Sequence, residues 1–296
     1  MLQPNKIGEW ILGPVIGTGG MAVVYQAQHA TSGKVAALKL CMNGVENALG
    51  RFSQEIQVTR QLGGHSECHY YIDSGHDPTP YLVVEWLPLS FMDALKRFGV
   101  AQHLAPIDRA RGCHPLFCAI AAALGRCHED LIVHRDLKPA NIKFRDREDL
   151  SDAAVLIDFG LAYAMEGSEF FISRRLSRAG DIVGTLPYLA PEQLQAGHSL
   201  EITRPEPRLD VYSLGLVMYE ALTGALPAVC KDGTGGVAAK KNGISVINDL
   251  FKTFRGDGRD QELLIELGSL IDRCLEPKPS RRYADGAALH AALRAL

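Results

Sequence analysis

The stretch from Ile132 to Ile142 constrains this chain more than any other. It reads Ile-Val-His-Arg-Asp-Leu-Lys-Pro-Ala-Asn-Ile, so apolar residues border a compact set of charged and polar ones. This pattern predicts an ordered loop held between two buried elements. Asp136 and Asn141 lie five positions apart with Lys138 between them, so a base, a cation and a neutral oxygen ligand can face one cleft. These groups suit the alignment of a hydroxyl, a phosphate and Mg²⁺.

A second informative stretch covers residues 155–160 and reads Val-Leu-Ile-Asp-Phe-Gly. Its apolar residues predict a strand that delivers the carboxylate of Asp158 at its end, before the flexible Gly160. A carboxylate there suits a hard cation such as Mg²⁺, which prefers carboxylate, water and phosphate oxygens. The alternative interpretation of Asp136, Asn141 and Asp158 is that they cap turns between core strands.

Together these stretches match the signature H-R-D-L-x-x-x-N followed by D-F-G. The sequence therefore resembles the eukaryotic-type (Hanks-type) serine/threonine protein kinases, and its motif residues are most similar to those of the bacterial branch. The resemblance rests on several motifs in the required order over nearly the whole chain. It implies an α+β, two-lobed protein-kinase-like fold made by one domain, residues 1–296. A small, mostly-β lobe would extend through Val84 and a larger, mainly helical lobe would begin at Glu85.

Composition excludes several other classes of protein. The 296 residues are 47% hydrophobic and 22% charged with a net charge of −3, which allows a substantial core and lacks the basic excess of a nucleic-acid binder. No apolar run is long enough to span a bilayer, and Met1–Trp10 lacks a signal-peptide pattern. Seven scattered cysteines predict a reducing, cytoplasmic setting. A last helix that runs to Leu296 predicts that no regulatory domain follows on this chain.

Neighbouring cysteine and histidine residues raise the question of a zinc site. Three such pairs occur: Cys68–His69, Cys113–His114 and Cys127–His128. Zinc sites in proteins combine four ligands at characteristic spacings along the chain. The spacings here fit no common zinc framework, so a zinc site is not predicted.

A glycine-rich hairpin is predicted near the N-terminus. Residues 9–17 predict one strand, and a second strand follows the glycines and continues through Gln28. Glycines let the backbone close over a phosphate with its N–H groups facing the ligand. A dinucleotide-binding fold is not predicted, because a strand rather than a helix follows. The resemblance places Ala22 where a third glycine is usual. It assigns four residues of the hairpin to the nucleotide: Ile16, Gly17, Gly19 and Val24.

Lys39 lies in an apolar run that predicts a buried strand. A buried lysine needs a carboxylate or phosphate partner, or it loses its charge. The resemblance implies that Lys39 binds the α- and β-phosphates, that Ala37 lines the nucleotide site, and that a helix glutamate pairs with the lysine. Glu55 is the favoured partner because segment 47–62 has an apolar face beside it, and Glu46 is the alternative.

Residues 82–87, Leu-Val-Val-Glu-Trp-Leu, predict an edge strand that leaves the small lobe. The resemblance makes Val84 the gatekeeper. It makes Glu85 to Leu87 the hinge whose backbone meets adenine.

Beyond the hinge, hydrophobic periodicity and turn residues predict the remaining elements. They are a short helix over 90–98, an irregular connection over 103–112, a long helix from Pro115 to Cys127, a solvated turn over 145–149, an insertion over 196–208, an apolar helix over 210–222 ending at Gly224, a mobile loop over 231–243 and a packed helix over 263–271.

A long polar segment separates Gly160 from Glu192, and a structureless stretch of this length is usually functional. By resemblance it is an activation segment with the ending Gly-Thr-Leu-Pro-Tyr-Leu-Ala-Pro-Glu. A phosphate on it could pair with Arg135 through charge-assisted hydrogen bonds, whereas Thr185 would pack beside Asp136. The candidate acceptors are Ser168, Ser173 and Ser177, and the local cations are Arg174, Arg175 and Arg178. Those arginines could instead stand in for other contacts and make the segment independent of modification.

Two further roles follow from the resemblance. Asp210 would hold the backbone of the catalytic loop, and Arg282 would pair with Glu192. The alternative for Arg282 is a solvated helix cap, because surface ion pairs contribute little to stability.

The resemblance implies transfer of the γ-phosphoryl group of ATP to serine and threonine hydroxyls of proteins. Asp136 would orient the acceptor and take its proton, and Lys138 would steady the moving phosphoryl group. Asn141 and Asp158 would hold Mg²⁺, with Mn²⁺ as the alternative ion, while Lys39 positions the phosphates. Such catalysis is mostly alignment and charge stabilisation.

Two rival functions share part of this pattern. A pseudokinase scaffold has the same fold but normally lacks one of the Lys, Asp, Asn or Asp positions, all of which are present here. A small-molecule kinase of the aminoglycoside type shares the Asp-to-Asn spacing but is not expected to carry segment 184–192. The expected partners are protein substrates and a second copy, as a homodimer for autophosphorylation in trans. Neither nucleic acid nor a membrane segment in this chain is expected.

Overall fold

The computed structural model describes residues 6–42, 48–63, 71–100, 104–150, 153–165, 185–196, 206–231, 243–251 and 260–296. These residues form a small lobe built on one β-sheet and a larger, mainly helical lobe. None of the helices in these ranges is both long enough and apolar enough to cross a lipid bilayer.

The small lobe is a six-stranded antiparallel sheet with the order β1-β2-β3-β4-β6-β5. Its strands are β1 Lys6–Ile7, β2 Trp10–Thr18, β3 Ala22–His29, β4 Val35–Cys41, β5 Tyr71–Gly75 and β6 Tyr81–Glu85. The prediction of an edge strand over 82–87 was wrong, because β6 lies between β4 and β5 and ends at Glu85. Its apolar run is buried on both faces, as is usual for an interior strand.

Helix α1, Ala48–Leu62, packs against the cleft-side face of this sheet. The side chain of Ala22 is 2% exposed and packs among Phe52 of α1 and Leu82 and Val84 of β6. The departure from a third glycine therefore places a methyl group in the core rather than over the phosphates. The opposite face of the sheet carries a separate apolar cluster that includes Trp10.

The larger lobe packs around helix α5, whose residues are almost all buried. Its helices are α2 Phe91–Arg97, α3 Pro106–Glu129, α4 Pro191–Ala196, α5 Arg208–Thr223, α6 Ala228–Lys231, α7 Val246–Phe251, α8 Asp260–Cys274 and α9 Gly286–Arg294. Helix α5 ends at Gly224, as predicted, since this glycine takes a φ of 88° that disfavours other residues. The last helix ends at Arg294 rather than at Leu296.

Helix α3 begins at Pro106, so the predicted irregular connection over 103–112 was wrong from that residue onward. A proline is well tolerated in the first turn of a helix, where its missing N–H has no helical partner. Buried residues continue the helical spacing upstream of Pro115 at Ile107, Ala110 and Cys113. Pro115 thus lies inside the helix, although the sequence pattern makes it resemble a start signal.

Two small sheets lie beyond the hinge, within the larger lobe. Their strands are β7 Leu89–Ser90, β8 Ile132–Val133, β9 Ile142–Phe144, β10 Ala154–Leu156 and β11 Tyr163–Ala164. Strand β9 pairs with both β7 and β10, and β8 pairs with β11. The loop between β8 and β9 is therefore fixed at both ends. Most of the predicted insertion over 196–208 and of the predicted loop over 231–243 lies outside the described residues.

Candidate active site

The loop between β8 and β9 is held from beneath by Asp210 of α5. The Asp210 carboxylate is fully buried and accepts hydrogen bonds from the backbone N–H of His134 at 2.7 Å and of Arg135 at 2.8 Å. Burial by itself would raise the pKa of Asp210. The hydrogen bond from His128, the nearby His134 and the backbone N–H of Arg135 outweigh this effect and lower the pKa. The predicted contact between Asp210 and the loop is present, and it holds Arg135 at a left-handed φ of 68°.

The carboxylate of Asp136 is fixed by three side chains. Thr185 Oγ1 donates to Asp136 Oδ1 at 2.7 Å, and Lys138 Nζ donates to Oδ2 at 2.7 Å. Asn141 Nδ2 donates to Oδ2 at 3.2 Å and to the Asp136 carbonyl at 2.8 Å. Lys138 also donates to Thr185 Oγ1 at 2.7 Å, so the predicted position of Thr185 beside Asp136 is found.

Lys39 joins the two lobes through two carboxylates. Its Nζ lies 2.7 Å from Glu55 on α1 and 2.9 Å from Asp158 Oδ1. Burial by itself would lower the pKa of Lys39, but the two carboxylates outweigh it and raise the pKa above its ordinary value. The lysine is therefore charged at neutral pH. The predicted partner Glu55 is present, whereas the alternative Glu46 lies outside the described residues.

Asp158 follows β10 and takes a left-handed φ of 68°, which turns its carboxylate toward Lys39. Burial would raise its pKa, but the charge and hydrogen bond of Lys39 lower it. The next residue, Phe159, is fully buried and its ring centre lies 4.9 Å from that of His134. The turn that carries Asp158 is thus packed directly on the loop that carries Asp136.

One face of the sheet gathers four of the predicted nucleotide-binding residues. Val24 lies opposite Lys39 in the β3–β4 register, and Ala37 lies opposite Val84 in the β4–β6 register. Directly opposed residues of an antiparallel pair point to the same face, and so do residues two apart in one strand. Val24, Ala37, Lys39 and Val84 therefore share one face, which is the face that carries Lys39 toward Asp158.

The hairpin over this face is closed by a hydrogen bond from the Gly19 N–H to the Ala22 carbonyl at 2.9 Å. Gly17 lies opposite Val24, and the β2–β3 register is irregular just before it. Ile16 is 46% exposed in the same strand. This hairpin therefore lies in the sheet directly beside the strand that carries Lys39.

The hinge residue Glu85 differs from its neighbours, because it falls one residue after Val84 and so on the opposite face of β6. Its carboxylate binds Arg145, whose Nη2 donates at 2.7 Å. The prediction that residues 145–149 form a solvated turn was wrong for Arg145, which is 8% exposed, and right for residues 146–149, which are exposed. Leu87, further along the hinge, is 8% exposed.

Arg282 and Glu192 form the predicted pair, with Nη1 to Oε1 at 2.6 Å and Nη2 to Oε2 at 2.9 Å. The side chain of Arg282 is 0% exposed, so the interpretation as a solvated helix cap was wrong. In the same region, Tyr188 donates a hydrogen bond to Glu220 of α5 at 2.6 Å. This second anchor holds the segment after Thr185 and was not predicted.

Three more contacts were not predicted from the sequence. His128 accepts a hydrogen bond from the Gly286 N–H at 2.9 Å and contacts Asp210 at 3.0 Å. Gln54 of α1 donates to the Ala162 carbonyl, which ties this helix to the stretch after Asp158. Each contact joins residues more than 80 positions apart, so no local pattern could have revealed it.

Two arginines lie close together at the loop. Burial lowers the pKa of Arg135, the Asp210 carboxylate opposes this shift, and the positive charge of Arg51 on α1 adds to it. Arg51 Nε is buried without a hydrogen-bond partner among the described residues. The candidate acceptors Ser168, Ser173 and Ser177 lie outside the described residues, as do the three arginines near them.

Comparison with known proteins gives a consistent result. The family model described as "Protein kinase domain" matches residues 10–293. Serine/threonine-protein kinase PknB of Mycobacterium tuberculosis is 27% identical over 99% of this chain and 44% of its own length. Serine/threonine-protein kinase AfsK of Streptomyces coelicolor is 29% identical over 95% of this chain and 31% of its own length.

A third relative, the probable serine/threonine-protein kinase PknB of Bifidobacterium longum, is 30% identical over 74% of this chain and 31% of its own length. The chain spans less than half the length of these curated relatives. The comparisons therefore concern less than half of each relative.

Proposed function

This chain belongs to the protein kinase family, in its bacterial serine/threonine branch, and we propose that it transfers the γ-phosphoryl group of ATP to serine and threonine hydroxyls of proteins. The observation that carries the proposal is the convergence of Lys39, Asp158 and the Asp136–Lys138–Asn141 loop on one cleft. We place the lobe boundary between Val84 and Glu85 within a single domain, residues 1–296.

Asp136 acts on the acceptor hydroxyl. Thr185, Lys138 and Asn141 hold its carboxylate in one orientation, so an incoming hydroxyl meets a preorganised hydrogen-bond acceptor. Asp136 orients this hydroxyl and takes its proton as the oxygen bonds to the γ-phosphorus and the bond from that phosphorus to the bridging oxygen breaks, which releases ADP. The ammonium group of Lys138 lies within hydrogen-bond distance of the same carboxylate, where it offsets negative charge on the moving phosphoryl group.

The residues present fit a divalent cation at Asn141 and Asp158. The Asn141 amide N–H groups face Asp136, which leaves the amide oxygen as the ligand atom. The pKa of Asp158 is lowered, so its carboxylate is charged at neutral pH, and its side chain is 40% exposed. Mg²⁺ is usually held by a few protein ligands together with phosphate oxygens of the substrate. We therefore propose that this site binds Mg²⁺, with Mn²⁺ as a substitute. When bound, the ion neutralises charge on the phosphates.

The nucleotide is positioned by the sheet. We propose that Ile16, Gly17, Gly19 and Val24 cover it, that Ala37 and Val84 line its adenine end, and that the backbone from Glu85 to Leu87 meets adenine. Lys39 positions the phosphates while Glu55 keeps the lysine in place.

A protein acceptor is favoured over a small molecule by the anchored segment after Thr185. This segment is bound to α5 through Tyr188 and to Arg282 through Glu192, which makes a fixed ledge beside Asp136. A scaffold without catalysis remains the alternative function. It predicts that the chain binds nucleotide and transfers no phosphate.

We also propose autophosphorylation within residues 160–190, in trans between two copies. Arg51 Nε is buried and has no hydrogen-bond partner within the part of the chain that the structure describes. A phosphate can pair with it and with Arg135 through charge-assisted hydrogen bonds. Ser173 or Ser177 is favoured over Ser168 because of the adjacent arginines. The cysteines are odd in number and scattered along the chain, which supports a cytoplasmic location.

The test is incubation of the protein with labelled ATP, Mg²⁺ and a cell lysate, followed by mapping of phosphosites by mass spectrometry. The proposal expects phosphoserine and phosphothreonine, whose formation stops in the Asp136→Asn variant. Dominant phosphotyrosine, or equal labelling by the Asp136 variant, contradicts it. Phosphatase treatment followed by Mg-ATP tests the regulation, because unchanged activity with no phosphate between residues 160 and 190 refutes it.

A further inference from the structure

Glu85 and Arg145 form a bidentate ion pair at the hinge, in which the arginine is buried and the glutamate is partly buried. Arg145 Nε lies 3.0 Å and 3.1 Å from the two carboxylate oxygens of Glu85, and Arg145 Nη2 lies 2.7 Å from Oε2. The side chains are 7% and 29% exposed for Arg145 and Glu85. A planar guanidinium that contacts both oxygens fixes orientation as well as distance, which a lysine at the same position could not do.

This pair connects the two ends of the nucleotide cleft. Glu85 is the last residue of β6 and begins the hinge. Arg145 directly follows β9, a three-residue strand that starts immediately after Asn141. The ion pair thus links the adenine-binding edge to the metal-binding end through a short, rigid strand.

Backbone pairing supports the same connection. Strand β7, which follows the hinge, pairs with β9 through Leu89 and Ser90. The neighbouring Asp146 binds Arg97 of α2, but these side chains are 61% and 37% exposed. The Glu85–Arg145 pair is less exposed than the Arg97–Asp146 pair and is attached to the hinge.

We propose that Arg145 is a positioning residue that sets the spacing between the hinge and the metal-binding end of the cleft. The inference rests on the proposed function of the cleft as a nucleotide site. Glu85 turns its side chain to the face opposite Val84, so the pair works behind the nucleotide and not on it. A buried ion pair adds little stability over an apolar pair of similar shape, whereas it holds one geometry.

Spacing has a distinctive consequence for ligands of different reach. Adenosine contacts the hinge alone, whereas Mg-ADP must satisfy the hinge and the phosphate end together. Breaking the Glu85–Arg145 pair should therefore weaken the binding of Mg-ADP much more than the binding of adenosine. In the Arg145→Gln variant, we expect the dissociation constant for Mg-ADP to rise about tenfold and that for adenosine to rise less than about threefold.

The experiment is calorimetric titration of the whole chain with Mg-ADP and with adenosine. Arg145→Lys keeps the positive charge but removes the planar, bidentate guanidinium, so it should show an intermediate loss of affinity for Mg-ADP. Arg97→Gln is the matched control, because it breaks the exposed ion pair of the same turn and should leave both affinities unchanged. Thermal unfolding of each variant identifies one that fails to fold, and Arg145→Lys then carries the test.

A double-variant cycle isolates the pair. If Glu85 and Arg145 act as one unit, Glu85→Gln combined with Arg145→Gln weakens Mg-ADP no more than the worse single variant. Additive losses overturn the proposal, and so does an equal loss for adenosine and Mg-ADP or an unchanged affinity for both. Protein phosphorylation is not the readout. Absence of phosphate transfer in a chain that binds Mg-ADP therefore refutes the proposed function without deciding this inference.

Discussion

Replacing Arg282 by methionine removes a guanidinium from a site where its side chain is 0% exposed. The group donates to both Glu192 oxygens, at 2.6 Å and 2.9 Å. It also donates to the carbonyls of Arg208 at 3.0 Å, Glu276 at 2.7 Å and Pro277 at 3.1 Å. Methionine keeps the length of the side chain but offers no donor, so one charged and three neutral acceptors lose their partner together.

The expected loss follows from this geometry. Removing one partner of a buried ion pair costs about 3–5 kcal/mol because the other charge stays buried. The Glu192 side chain is 25% exposed, so water recovers part of this loss and the low end, about 3 kcal/mol, applies. For a domain of this size, 1 kcal/mol lowers Tm by about 2–4 °C, which gives a drop of roughly 6–12 °C.

Thermal unfolding followed by far-ultraviolet circular dichroism measures this change. Circular dichroism is preferred because the two tryptophans, Trp10 and Trp86, lie in the small lobe and the hinge, away from Arg282. Arg281→Met is the matched control, since its side chain is 64% exposed and its nearest carboxylate lies 3.8 Å away. We expect Arg281→Met to change the free energy of unfolding by less than about 0.5 kcal/mol. Equal effects of the two substitutions refute the reasoning, because burial would then not determine the cost.

Three further perturbations test the site. Lys39→Met should reduce phosphoryl transfer by several orders of magnitude and weaken nucleotide binding, whereas Asp136→Asn should reduce transfer as strongly and leave nucleotide binding largely intact. Steady-state kinetics together with nucleotide titration separates the two effects. Near-normal turnover of the Asp136 variant contradicts the mechanism. Thr185→Ala should lower kcat by about 10- to 100-fold through loss of a hydrogen bond to a charged group, while Thr185→Ser restores the hydroxyl; equal rates for both variants exclude this role. Because the pKa of Asp210 is lowered, its contribution to stability is complete above its ordinary value of 3.8 and is lost as the pH falls through the lower folded value. The stability difference between wild type and Asp210→Asn, measured by urea unfolding, should therefore narrow below about pH 4, and a constant difference contradicts the shift.

Motifs that are continuous in sequence predicted their own geometry well. The loop from His134 to Asn141 carries its functional groups within a few residues, so their spacing limits how they can be arranged. The same holds for helix α5, whose apolar run and terminal Gly224 mark its end. The pairing of Lys39 with Glu55 was also predictable, because a charge in a buried strand requires a partner on the one amphipathic helix beside it.

Prediction failed where a local signal competed with packing. Pro115 resembles a helix start, but apolar residues before it continue the buried face of α3 and the helix extends through the proline. The apolar run of β6 does not show which strands lie beside it. Only the order of strands in the sheet places β6 in the interior of the sheet rather than at its edge.

The sequence alone determined the family, the order of the motifs and the chemistry that their side chains allow. Tertiary structure alone decided that Arg145, at the start of a charged run, reaches back 60 positions to Glu85 and is buried there. The physical reason is that a charged residue is usually placed in solvent but can be buried when it has a matched partner. Which of the two applies depends on whether folding brings that partner within hydrogen-bond distance, and no local pattern encodes this.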